Sequence, residues 1–302
     1  MEGLVLFNKP KGITSTQVTN YFKKKTGKKV GHGGTLDPFA EGLLILGIGK
    51  YTKQLEKFLK GSKKTYIGEI FLGAISDTYD LTGKITKKGN KLPSVEEIKR
   101  TLKNFIGEIY QKPPPFSAIK IKGKPAYKLI RRGEKVEIKP RKVKIYNLEF
   151  INLKENILKI KAEVGSGVYV RSLAKDLGEK LGCGGYLQSL KRTKIDDFSI
   201  NQALTFQDLE SDFLEFWAKI YGFVQGVGFR RFTKRIAEKL GIKGWVKNIP
   251  DGTVEVLAQG KEDQLQEFIK YLKKGPILAE VEKLEIIFRR PLDDFDYFFV
   301  SF

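Results

Sequence analysis

From residue 216 onward the chain alternates in an order that few folds accept. Strand-like residues 216–223 lead to a helical stretch at 230–240 and a strand at 242–248. A Pro-Asp-Gly turn at 250–252 then precedes a strand at 253–259, a helix at 262–273 and a strand at 280–288. Helical spacing puts Phe232, Ile236 and Leu240 on one stripe, and Leu265, Phe268, Ile269 and Leu272 on the other. The order β-α-β-β-α-β interleaves two β-α-β units and predicts a ferredoxin-like split motif.

The preceding residues mix strand and helix signals without a repeat. Leu4–Asn8 and Leu43–Ile48 read as short buried strands, and Thr65–Leu72 alternates like a sheet segment. Ser94 followed by Glu97 forms a capping box, with Ile98, Leu102 and Phe105 on one face of a helix that Gly107 is expected to end. Long strands are predicted over Val136–Leu153 and Ile157–Val164. The expectation is an α+β domain with a large mixed or antiparallel sheet. Pattern and charge both change at 211–216, so the domains are placed at 1–212 and 213–302, two being what 302 residues usually form.

The formal charge of +21 is uneven. Residues 1–213 hold 41 Lys and Arg against 22 Asp and Glu, whereas residues 214–302 hold 15 against 13. A basic excess confined to one part of a chain points to a nucleic-acid partner there, with an inert lysine-rich surface as the other reading. The lone cysteine, Cys183, excludes an internal disulfide and a cysteine zinc cluster, and a lone histidine excludes a His-rich metal site. No apolar run reaches the length of a membrane span, and the start MEGLVLFNKPKG lacks a signal-peptide pattern, so no membrane partner and a cytoplasmic location are expected.

Within the basic part, Gly31–Gly42 reads GHGGTLDPFAEG, with Asp37 in a glycine-rich loop close to His32, the chain's only histidine. Glycines permit a tight turn that presents a side chain to a ligand, and Pro38 biases Asp37 away from helix. An Asp that merely hydrogen-bonds its own backbone explains the same residues. An oriented, ionised carboxylate can act as nucleophile or base. Residues 112–141 carry three successive prolines and ten Lys or Arg interleaved with Phe116 and Tyr127. They read either as a basic flap gripping a phosphate backbone or as a solvated loop.

Six motifs now bear on this loop: NKPKGITS, GHGGTLDPFAEG, KTYIGEIFLGAISDTYDLTG, PPPFSAIKIKGKPAY, GVYVRSLAKDLG and YLQSLKRTKIDDFSI. In this order, over about residues 1–205, they resemble the TruB-type tRNA pseudouridine synthases. The resemblance implies isomerisation of the T-loop uridine of tRNA at position 55, with no cofactor or metal. It makes Asp37 the catalytic aspartate, Arg171 the arginine that holds it, and Tyr66 the residue that stacks on the flipped base. A phosphate contact or structural ion pair is the other reading of Arg171, and a strand core position that of Tyr66. His32 matches a histidine inserted near the flipped nucleotide, although a lone histidine also reads as a structural hydrogen-bonder. Lys9 and Leu190 match pocket-lining positions. Gly33 stands where the family has a hydroxyl residue, Glu41 stands where a small one is typical, and no RNA-binding PUA module is recognisable after Thr205. A tRNA-binding or tRNA-folding factor is the alternative for the whole chain.

In the last part, Gly222, Gly226 and Gly228 precede Arg230 between a strand and a helix. Successive backbone N–H groups and a helix N-terminus suit an anion such as phosphate. GFVQGVGFRRFTKRIAEKLGIKGWVKNIPDGTVEVLAQG resembles acylphosphatase, and about 214–302 falls within the likeness. By that resemblance Arg230 and the loop Gly226, Val227, Gly228 and Phe229 bind the phosphoryl group of a small acyl phosphate, and Asn248 orients the attacking water, again without a metal. A retained fold that binds an RNA phosphate or packs without catalysis is the other reading. The chain is expected to act as a monomer.

Overall fold

A computed structural model of the chain describes residues 1–89, 92–117, 119–121, 123–130, 132–134 and 136–302. In chain order, its principal elements begin with β1 (Leu4–Lys9), α1 (Ser15–Thr26), β2 (Val30–His32) and β3 (Glu41–Ile48). They continue with β4 (Lys64–Leu72), α2 (Val95–Lys103), β5 (Gly107–Gln111), β6 (Arg141–Lys154), β7 (Ile157–Val164), α3 (Val170–Lys180) and β8 (Gly185–Ile195). The last group is β9 (Phe213–Phe223), α4 (Phe229–Lys239), β10 (Lys243–Asn248), β11 (Val254–Lys261), α5 (Glu262–Lys274), β12 (Glu280–Arg289) and β13 (Phe298–Val300). The chain forms two compact units. One comprises Met1–Pro38, Gly42–Leu59 and Phe198–Phe302, the other Phe39–Glu41 and Lys60–Asp197.

In the first unit the strands run in the order β13-β10-β11-β9-β12-β1-β3, with β2 paired to β3. The β-α-β-β-α-β order is present, with an additional strand, β13, lying parallel to β10 in the register Trp245↔Phe299. β1 joins the same sheet, parallel to β12 (Leu4↔Ile287) and antiparallel to β3 (Val5↔Leu46). The α5 stripe is buried as the sequence implied. The α4 stripe is not: its buried residues are Phe229, Thr233, Ile236 and Ala237, whereas Phe232 and Leu240 are half-buried. The helix starts at Phe229, whose ring is 2% exposed, and anchoring that ring turns the inward face away from Phe232. Phe216 meets Phe268 and Phe288 at 6.2 and 5.9 Å between ring centroids, joining sheet to helix in the core. On β1, Phe7 packs edge-on against Phe22 of α1 and against Phe206, at 5.4 and 4.9 Å.

The second unit is built on an antiparallel sheet in the order β8-β4-β7-β6-β5. The capping box of α2 is formed: Glu97 N–H donates to Ser94 Oγ at 3.2 Å, and Ser94 N–H to the Glu97 carboxylate at 2.8 Å. The helix stops at Lys103, before Gly107, which instead opens β5; Phe105 therefore falls outside the helical stripe. The long strand expected from Val136 begins only at Arg141, after Pro140, which has no N–H to give to a ladder. In the basic segment, Lys120–Ile121 pairs with Lys124–Pro125, and Ala126–Ile130 is a short helix. Ala118, Lys122, Arg131 and Lys135 of that segment lie outside the described residues.

A buried hydroxyl ties the two sequence ends of the first unit. Tyr51 is 1% exposed and donates to the carbonyl of Leu284 at 2.7 Å. Tyr51→Phe leaves that carbonyl without this donor at nearly constant volume, so a loss of about 1–2 kcal/mol is expected. A urea titration should show a lower midpoint at unchanged slope.

Candidate active sites

The Asp37 loop is fixed on both flanks. Before it, Leu36 N–H donates to Ser15 Oγ at 3.0 Å and Ser15 Oγ donates to the Leu36 carbonyl at 3.1 Å. After it, the Pro38 carbonyl accepts from Gly12 N–H at 2.8 Å. Lys9 is 0% exposed, and its ammonium donates to the carbonyls of Pro10 (2.9 Å), Ile13 (2.8 Å) and Pro38 (3.4 Å). A buried ammonium is tolerated because its protons find acceptors. Lys9 therefore acts as a clamp between the NKPKG turn and the loop, and Asp37 is half-buried between anchored neighbours. His32 ends β2, half-buried, opposite Leu46. The glycine at 33 has a steric reason: a Cβ there would meet Phe58 Cβ at 2.9 Å. The added charge of Glu41 lies 3.7 Å from Lys191 Nζ.

In the second unit Tyr66 lies on β4 opposite Arg192 of β8, and Arg192 Nη1 donates to its hydroxyl at 3.5 Å. Leu190 shares that face, two residues from Arg192 and opposite Gly68. Tyr66, Leu190 and Arg192 are 8%, 6% and 1% exposed. Arg171 projects from the first turn of α3 and is bound to Asp80, Nη1 to Oδ2 at 3.3 Å, and to the Phe116 carbonyl at 3.0 Å. Asp80 accepts on its other oxygen from Thr78 Oγ1 at 2.8 Å, Thr82 N–H at 2.9 Å and the Thr82 hydroxyl. The same first turn seats the base of the proline-rich segment: Gln111 Oε1 accepts from Tyr169 N–H, and the Lys112 carbonyl accepts from Ser172 Oγ.

Asp80 and Arg192 were missed in the sequence, though each left a trace. Asp80 stands between threonines two residues away on either side, a spacing that suits local side-chain capping. Arg192 occupies an inward position of a strand whose other inward residues are apolar, and a buried guanidinium needs a reason. Lys64, at the start of β4, was missed as well. Burial pushes its ammonium down to about 8, with the nearby Arg192 charge adding to the effect, and its Nζ donates to Ser166 Oγ at 3.3 Å.

The glycine-rich loop before α4 lines a cavity of about 500 Å³ together with Arg230 and Asn248. Gly226 and Gly228 have φ of 77° and 79°, a conformation that side chains resist. Gln225 Nε2 donates to the carbonyls of Ile249 and Thr253, both at 2.8 Å, holding the loop against the end of β10. The Arg230 guanidinium lies 5.5 Å from the Phe302 ring centre. The buried Asn248 Oδ1 has no hydrogen-bond partner among the described residues. Gly226, Gly228 and Phe229 line this cavity, whereas Val227 lines a separate apolar groove with Phe232 and Tyr271. Among the described residues no acidic, His or Cys cluster could hold a metal ion, and no helix is long and apolar enough to cross a membrane.

Comparison with known proteins divides the chain in three. Residues 21–170 match the TruB family pseudouridylate synthase (N terminal domain) model, 171–219 the tRNA pseudouridylate synthase B C-terminal domain model, and 217–300 the acylphosphatase model. The tRNA pseudouridine synthase B of Aquifex aeolicus is 48% identical over 214 residues, covering 70% of this chain and 74% of that protein. That of Endomicrobium trichonymphae is 44% identical over 213 residues, covering 70% and 92%. A solved Cbf5-Nop10-Gar1 complex shares the fold at 23% identity, with a TM-score of 0.55 over 93% of this chain and 84% of that one.

Lys64 gives a pH test. Its folded pKa lies below the ordinary 10.5, so from about pH 8 to 10.5 the unfolded chain holds a proton that the folded chain has released. Stability contributed by this group therefore rises with pH across that window and is lowest where both states are charged. Lys64→Met should be more stable than the parent at pH 7, by about 2 kcal/mol, with the difference shrinking towards pH 10.5. Urea titrations of both proteins at a series of pH values check this.

Proposed function

The chain belongs to the TruB family of pseudouridylate synthases, and we propose that it isomerises the T-loop uridine at position 55 of tRNA with Asp37 as the acting carboxylate. The observation that carries this reading is the double anchoring of the Asp37 loop, through Ser15 on one side and Lys9 with Gly12 on the other. A carboxylate that must reach a flipped base gains from a backbone already held in place. The N1–C1′ bond breaks, the uracil turns, and a C5–C1′ bond forms as C5 gives up its proton and N1 regains one. The reaction is thus an isomerisation without net loss. Tyr66 supplies the stacking face that offsets the cost of unstacking the base, and Arg171 supplies a fixed positive charge. His32 and Leu190 serve the nucleotide's surroundings, and the basic segment 112–141 grips the T arm.

In this proposal residues 1–212 form the synthase and 213–302 an acylphosphatase that is active. Arg230 and the amides of Gly226, Val227, Gly228 and Phe229 hold the phosphoryl group, and Asn248 Oδ1, buried and without a partner among the described residues, accepts from the attacking water. Water oxygen bonds to phosphorus, the bond from phosphorus to the carboxyl oxygen breaks, and the carboxylate leaves with its electron pair. The water's proton passes to phosphate or solvent.

Asp37→Asn should abolish pseudouridine formation in tRNA, read by mapping the modified base, while tRNA binding persists; retained isomerisation defeats the assignment. Affinity for tRNA should fall steeply with salt, as counterion release demands of an interface made with phosphates. Acetyl phosphate hydrolysis should be lost in Arg230→Ala. An intact chain that never hydrolyses acetyl phosphate would make the last part a binding module.

A further inference from the structure

The cavity before α4 is lined by a second arginine, Arg231, next to Arg230. We propose that Arg231 is a specificity residue, and that the site takes acyl phosphates whose acyl chain carries a second anionic group, a carboxylate or a phosphate. This rests on the hydrolytic reading above and adds the class of substrate to it.

Helix electrostatics make Arg231 unusual. The N-terminal turn of a helix carries partial positive charge, so cations there are disfavoured and acidic residues favoured. The first turn of α4 nonetheless holds Arg230 and Arg231 and no acidic residue. Arg235 then follows Arg231 at i+4, adding like-charge repulsion along one face. Neither Arg230 nor Arg231 has a carboxylate partner among the described residues. A helix start arranged for stability would not be built this way, whereas one arranged for anions would.

Geometry separates the roles of the arginines. Consecutive helical side chains diverge by about 100° around the axis, so neighbours do not converge on one small group. Arg230 is half-buried against Phe302, whereas Arg231 is exposed at the rim. With Arg230 and the loop amides on the phosphoryl group, Arg231 is left for charge elsewhere on the same ligand. The cavity, about 500 Å³, exceeds what a phosphate needs and falls in the range of small-molecule sites. Its remaining wall includes Val224, Val300 and Phe302, which suits a short carbon chain between two anionic ends.

The test compares butanoyl phosphate with succinyl phosphate, equal in chain length and differing by a terminal carboxylate, on the full chain. The parent should show a kcat/KM about threefold to fivefold higher for succinyl phosphate at low salt, a ratio that shrinks at high salt. Arg231→Ala should remove that preference by raising KM for succinyl phosphate alone, and Arg231→Lys should keep part of it. Equal kcat/KM values in the parent, or an equal loss on both substrates in Arg231→Ala, overturn the proposal. Calorimetry with the matching β-ketophosphonates, which cannot be hydrolysed at the bridging position, covers a chain without turnover. Tighter binding of the carboxylated ketophosphonate that depends on Arg231 would then uphold the second anion site while the hydrolytic reading falls. Equal binding of both would overturn the site itself.

Discussion

The parallel pairing of β1 with β12 is the constraint on which the first unit depends. It joins residues from opposite ends of the sequence, and β1 is buried along most of its length: Leu4, Val5, Leu6 and Phe7 are at most 3% exposed. A strand buried on both faces, with neighbours on both sides, must bring its own apolar run and find partners for every backbone group. β1 does both, since beyond its contact with β12 the backbone of Leu204 takes over, accepting from Asn8 N–H and donating to the Leu6 carbonyl, each at 2.8 Å. Contacts so distant in sequence carry a large loop-closure cost and form late. The Asp37 loop and the Arg230 loop therefore belong to one compact unit, although they stand far apart in the chain.

Charge is used differently in the interior and at the ligand sites. Lys9, Arg171 and Arg192 are each at most 5% exposed, and each has acceptors: carbonyls for Lys9, Asp80 and a carbonyl for Arg171, the Tyr66 hydroxyl for Arg192. Removing Asp80 would leave a buried guanidinium without its counter-charge, a change that typically costs several kcal/mol. Arg230 and Arg231 are the converse case, with more solvent around them and no carboxylate opposite. Interior cations here fix backbone, and the helix-start cations are left available for an anion. Part of the positive excess of residues 1–213 is thus structural, and net charge by itself overstates what a nucleic acid would meet.

Local rules made much of this fold legible. Alternation located β4 and β7, the capping box located α2, and the turn signals separated β10 from β11. The failures share a cause. β13 is three residues long and follows a stretch rich in Asp and Pro, so periodicity has nothing to act on, and only its pairing with Trp245 and Val246 makes it a strand. The α4 stripe was misread because a one-residue error in the helix start rotates the inward face, and burial of the Phe229 ring fixes that start. At the sites, Asp37, Arg230 and Asn248 were legible through their motifs. Asp80 and Arg192 were not, because their significance is pairwise: each matters for what it faces across a sheet or a turn, and one sequence does not print its contacts.

A carboxylate intended for a polyanion must be kept both charged and placed. Long-range attraction from a basic surface helps only within about 8–10 Å at physiological salt, so a distant surplus of lysines cannot offset repulsion at the reacting centre. Placement can, because a carboxylate whose loop is already ordered loses little further entropy when RNA arrives. Ser15, Gly12 and the buried Lys9 supply that order through backbone contacts on either side of Asp37 and leave its side chain to the chemistry. The Gly33 position obeys the same logic, since the space a hydroxyl side chain would need is taken by Phe58, which packs the start of the loop. Rigidity in this loop comes from filling the space behind it, and the departure from a hydroxyl residue at 33 follows from that packing.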